Sequence, residues 1–130
     1  MVTGDMIRTT LEWNVAGLCP DQTCEAAEFY QVAGLRMVIH VKEDNQGHRI
    51  SSLSVQTEDG FYEPLEPDQH YKVVITSFLL QPGKSPLADM VNQTDIRRGV
   101  SDYQTMIQYL RRHNPVRTKL ENRITVNYFL

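Results

Sequence analysis

The apolar residues of this chain change period, and the change requires both a helix and a sheet. Ile7, Leu11, Val15 and Leu18 recur at steps of four, four and three, which places them on one face of a helix. From Leu35 the step falls to two. Leu35, Met37, Ile39 and Val41 alternate with Arg36, His40 and Lys42, the pattern of a strand with one buried face. Gly17 can end the helix, and Cys-Pro-Asp-Gln-Thr-Cys at 19–24 is the loop that follows.

Asn45-Gln46-Gly47 turns the chain into a second strand, where Leu53 and Val55 alternate with Ser52, Ser54 and Gln56, and Asp59-Gly60 closes it. Residues 72–80, KVVITSFLL, are apolar nearly throughout and predict a third strand, central and covered on both faces. Two prolines and a glycine make 81–86 a loop, and a short helix is expected over 86–92. Ser101 and Gln104 form a capping box, with Tyr103, Met106, Ile107 and Leu110 as the stripe of a helix that stops before Pro115. Ile124, Val126 and Tyr128 give a closing strand. This order predicts an α+β fold with a mixed or mainly antiparallel sheet flanked by helices, and a single domain over 1–130.

The chain offers little chemistry. Its four histidines, His40, His48, His70 and His113, are scattered, with no metal-ligand spacing. No Gly-x-Ser-x-Gly elbow, Walker loop or Rossmann loop is present. The acidic pairs Glu43-Asp44 and Glu58-Asp59 fall in turns, where acidic residues serve the backbone. Cys19 and Cys24 are the only cysteines, and a local disulfide across their loop implies an oxidising compartment. Asn92-Gln93-Thr94 is an acceptor sequence for N-glycosylation.

Charge excludes few partners but is unevenly spread. Residues 1–90 hold six Lys/Arg and thirteen Asp/Glu, a balance of −7; residues 91–130 hold seven and three, a balance of +4. Either the two faces are solvated or paired with each other, or Arg97, Arg98, Arg111, Arg112 and Arg117 form a basic surface for an anion or a partner. A net charge of −3 does not point to nucleic acid, no apolar run is long enough to span a membrane, and the first residues lack the features of a signal peptide.

Several blocks carry a family resemblance. Gly4-Asp5-Met6-Ile7 leading to Leu11-Glu12 resembles a helix of the form G-x-x-(I/L)-x-x-x-(L/F)-E. Phe29-Tyr30-Gln31-Val32-Ala33-Gly34-Leu35-Arg36 resembles F-L-Q-V-S-G-(I/L)-(R/H), the most specific block. Tyr62-Glu63-Pro64-Leu65 and then Tyr71-Lys72-Val73-Val74-Ile75 resemble Y-x-P-(L/I)…Y-K-V-(V/I), and Phe78-Leu79 come after them. Pro115-Val116 and Glu121-Asn122-Arg123-Ile124 resemble an ending P-(V/I)…E-G-R-I, with Asn122 in place of glycine. These blocks are similar to the carboxy-terminal domain of secreted and cell-surface 5'-nucleotidases and apyrases.

The resemblance implies a domain that binds the base and ribose of a nucleotide, while a separate metallophosphoesterase domain, typically with two zinc ions, cleaves phosphate. It covers roughly the last two-thirds of that domain; the family's N-G-G-G-I-R and P-F-G segments are absent. This chain is thus expected to hold no cofactor and to be no enzyme alone. Phe78 falls on the family's second base-stacking aromatic. Lys84 replaces the aspartate that accepts from the ribose hydroxyls, and an ammonium cannot accept. Pro82, Ser85 and Pro86 replace two glycines and an aromatic in the same loop. The implied function is a non-catalytic, secreted binding protein with a degenerate nucleotide site, for example a salivary antihaemostatic or immunomodulatory protein. The alternative is a fragment of an active secreted enzyme that contributes the base-stacking part of its substrate site. The expected partners are a weakly held or lost nucleotide or nucleoside, a host protein, and a second copy in a homodimer.

Overall fold

The computed structural model describes residues 1–24 and 28–129. Strand β1, Val2–Thr3, leads directly into helix α1, Gly4–Val15. Thr3 is extended and its hydroxyl accepts from the Met6 amide at 3.3 Å, satisfying one of the donors left open at a helix start. The stripe read from the sequence faces inward: Ile7, Leu11, Val15 and Leu18 are all buried.

Gly4 has a separate reason for being glycine. A Cβ there would stand 2.1 Å from the Glu66 carbonyl oxygen. The close approach lets the Gly4 amide donate to Gln69 and the Asp5 amide donate to Pro67, at 3.0 and 2.9 Å. The 66–69 turn is thereby fastened to the start of α1.

The main sheet is built around β2, Leu35–Val41. Strand β3, Ile50–Gln56, runs antiparallel to it, with Leu35 opposite Val55 and Met37 opposite Leu53. Strand β4, Tyr62–Pro64, pairs antiparallel with β3. After β5, His70–Tyr71, which pairs with β1, the chain returns to the main sheet as β6, Ile124–Tyr128, parallel to β2. The order β4-β3-β2-β6 is a mixed sheet, as expected. Met37, Ile39, Val41, Ile50 and Leu53 from the sheet share one core with the α1 stripe, Leu65 and Leu87.

The predicted central strand over 72–80 is not formed. Only His70–Tyr71 pairs, with a β1 that is itself two residues long, and Ser77–Leu80 coil into a 3-10 turn. Val73 is 42% and Val74 97% exposed, so this apolar run is not covered on both faces. Hydrophobicity marks a segment fit for a sheet, but a strand also needs a neighbour to complete its ladder.

Other boundaries moved less. β3 begins two residues before the expected alternation because Ile50 pairs with Ile39 across a register shift. β4 was unforeseen. It follows the Asp59-Gly60 turn, where Gly60 sits at a φ of 86° and the Thr57 amide donates to Phe61 at 2.8 Å.

Helix α2 spans Pro86–Met90, and helix α3 spans Asp102–Arg112. Ser101 caps α3 by accepting from the Gln104 amide at 3.2 Å. None of the α3 residues is buried; of its stripe, Tyr103, Met106 and Leu110 are exposed and Ile107 is half-buried.

Candidate functional site

Phe78 and Lys84, 6 residues apart, are brought together by a run of tight turns. The Leu79 amide donates to Thr76, the Gln81 amide to Phe78 and the Lys84 amide to Gln81, each at 3.1 Å. Gly83 supplies the left-handed residue in this run, at a φ of 75°. Ser85 is buried, and its hydroxyl donates to the Leu79 carbonyl at 2.6 Å, which ties the end of the loop to the 3-10 turn. Pro86 then opens α2, where a missing amide hydrogen is tolerated, and Leu87 is buried as α2 packs on α1.

The result is a half-exposed aromatic ring with a cation on it. Phe78 is 50% exposed, and the Lys84 ammonium lies 5.1 Å from its ring centroid. Such a contact contributes about 0.5–1 kcal/mol at an exposed site. Chemically the pair offers one aromatic face and donors only; it has no acceptor for a hydroxyl.

The remaining candidates stay apart. Among the described residues no three His, Cys, Asp or Glu side chains converge to hold a metal ion. His40 meets the edge of Phe129 at 5.4 Å, and His113 stacks on Tyr109 at 4.4 Å. Arg97, Arg98, Arg111, Arg112 and Arg117 are exposed, and the one ion pair among the described residues is Arg123 with Glu121 at 3.3 Å. Cys19 and Cys24 form the expected disulfide, with their Cα atoms 5.4 Å apart. Within that loop the Thr23 hydroxyl and amide donate to Asp21 and hold its carboxyl below the usual carboxylate range.

Sequence reasoning missed the polar centre that organises the block from 29 to 50. The Glu12 carboxylate accepts from the amides of Arg49 and Ile50 at 2.8 and 2.9 Å. Arg49, 1% exposed, donates to the carbonyls of Val15, Ala16 and Leu18 at 2.9, 3.2 and 2.7 Å. Those carbonyls are the open acceptors at the C-terminal end of α1, where a cation is also favoured by the helix dipole. Burial lowers the Arg49 pKa, against the opposing charge of Glu12. Asn14 does similar work two residues along, accepting from the Tyr30 amide at 2.9 Å and donating to the Glu28 carbonyl at 2.7 Å. Glu12 was visible as part of the helix block; Arg49 stands beside a turn and carries no periodic signal.

The chain is similar to several known proteins. The family described as 5'-nucleotidase, C-terminal domain matches residues 1–93. The chain is 31% identical over 102 residues to a 5'-nucleotidase of Bos taurus, covering 75% of this chain and 17% of that protein. It is 29% identical over 99 residues to an apyrase of Tabanus yao, covering 74% and 18% of the two. In three dimensions it matches the 5'-nucleotidase precursor from Thermus thermophilus with a TM-score of 0.79 and 30% identity, over 96% of this chain and 24% of that one. The chain thus spans 17–18% of the length of the two curated relatives.

Proposed function

The chain belongs to the 5'-nucleotidase C-terminal domain family, and we propose that it acts by binding and not by catalysis, as a secreted protein whose nucleotide site is degenerate. The observation that carries this reading is the ammonium of Lys84 over the ring of Phe78. An incoming base would have to displace that cation, and a ribose would find a donor where it needs an acceptor. The disulfide between Cys19 and Cys24 supports an extracellular setting. In such a setting the partner is a host protein, in the manner of an antihaemostatic or immunomodulatory secretion, and the chain self-associates.

A second reading draws on the exposure of Phe78. In it the chain is part of an active secreted nucleotidase and supplies one base-stacking ring, with the two divalent metals held by a metallophosphoesterase domain. Base stacking on an aromatic contributes roughly 1–3 kcal/mol. Calorimetry with adenosine and AMP separates the two. We expect no binding in the micromolar range, and no difference between the protein and its Phe78→Ala variant. Micromolar binding that Phe78→Ala weakens would overturn the degenerate-site reading.

A further inference from the structure

Residues 91–96 join α2 to the segment before α3, and they carry a motif that the nucleotidase reading does not use. Asn92, Gln93 and Thr94 are all exposed. Asn92 is extended, at φ −73° and ψ 128°, and heads a 3-10 turn at Gln93–Asp95. Its carboxamide oxygen accepts from the Thr94 amide at 3.1 Å and from the Thr94 hydroxyl at 2.9 Å. Among the described residues its carboxamide nitrogen has no hydrogen-bond partner.

We propose that Asn92 is a site of N-linked glycosylation. The spacing supplies the acceptor sequence, with glutamine and not proline at the middle position. The folded loop adds what the tripeptide alone does not: both side chains point to solvent, and the Thr94 hydroxyl is already bonded to the carboxamide. The reaction needs a lipid pyrophosphate-linked oligosaccharide as donor. The Asn92 nitrogen forms a bond to C1 of the first sugar, the bond from C1 to the pyrophosphate oxygen breaks, the lipid pyrophosphate leaves, and one amide proton passes to a base. No packed group has to move, because Asn92 contributes nothing to the core. A glycan on this loop also adds polar bulk next to the end of α2 at Met90.

This inference rests on the secretory setting proposed above, and the oxidation state of Cys19 and Cys24, on which that setting was argued, can be read apart from the glycan. The test is site-resolved mass spectrometry of the natural protein, and of the chain passed through a eukaryotic secretory pathway behind a cleavable leader. Reading the microsomal pool together with the secreted pool allows a poorly folded variant still to report. The expected result is a glycan on most copies, removed by an N-glycan amidase with conversion of Asn92 to aspartate. It should be lost in Asn92→Gln and Thr94→Ala and kept in Thr94→Ser. Unmodified Asn92 in protein whose cysteines are oxidised would overturn this inference and leave the secretory reading standing. Reduced cysteines together with unmodified Asn92 in the natural protein would overturn both.

Discussion

Two residues show how single atoms set the limits of this fold. At Gly4 a hydrogen is all that fits, since the position of a Cβ falls 2.1 Å from a backbone oxygen that the fold holds in place. Gly4→Ala must push the 66–69 turn away from α1, breaking the bonds from Gly4 to Gln69 and from Asp5 to Pro67. Overpacking of this kind costs about 1–3 kcal/mol, and a urea melt should show it as a lower midpoint with little change in slope. Tyr30 is the opposite case, a group that its site tolerates poorly. Its hydroxyl is buried without a partner among the described residues, and burial, then the charge of Glu28, raises its pKa from 10.0. The folded state therefore favours the neutral phenol. Stability should be intact below pH 10, where the unfolded chain's phenol begins to ionise, and should fall as pH rises toward the raised folded value. Tyr30→Phe removes this dependence and should be neutral or mildly stabilising at pH 7. Paired melts across pH 8 to 11 check it; a constant difference between the two proteins over that range would refute the assignment.

At the scale of elements, α1 and α3 are two amphipathic helices with different support. The stripe of α1 is buried, and its ends are held by Thr3, Glu12 and Arg49. Of the α3 stripe, Tyr103, Met106 and Leu110 are exposed and only Ile107 is half-buried, so this 11-residue helix rests largely on its Ser101 cap and intrinsic propensity. Isolated helices of fewer than about 12–15 residues are marginal in water. Hydrogen exchange should therefore be slow in α1 and fast in α3, and Ser101→Ala, at a cost of about 1 kcal/mol, should speed α3 further without touching α1. Equal protection of the two helices would contradict this.

The same contrast explains what could be read in advance. Period revealed α1, β2 and the stripe of α3, and the capping box and Pro115 marked the ends of α3, because these signals depend on the segment alone. It could not say whether the α3 stripe or the run at 72–80 would find a covering element. Nor could it see Arg49, whose role depends on carbonyls more than thirty residues away in sequence. At the candidate site, the resemblance picked out Phe78 and Lys84. Only the folded turns at 76–85 place the ammonium on the ring.

The whole molecule is left with more surface than its mass warrants. The described chain exposes 9977 Å², whereas a folded monomer of 15.0 kDa exposes about 7,000 Å². Much of the excess is apolar: Val74 is 97% exposed, Leu120 94%, Phe61 75% and Tyr103 69%. A standard interface buries about 800 Å² from each partner, so a second copy could be accommodated within this excess. Charge supports that occupant as well. The balance of −7 over residues 1–90 and of +4 over 91–130 lets the basic part of one copy face the acidic part of another. Residues 72–76 belong to no helix or strand, so their backbone groups beside Val74 are open to a strand added by a second chain. We therefore expect light scattering to give twice the 15.0 kDa chain mass. Added salt should weaken the dimer through its charge component, since screening shortens the reach of exposed charges to about 8 Å near 0.15 M. Val74→Asp should dissociate it by placing a carboxylate in the apolar contact, while Gln46→Ser, in an exposed turn and without change of charge, should leave it intact. A wild-type chain that elutes as a monomer at every concentration and salt level would show that the excess apolar surface is not covered by a second copy.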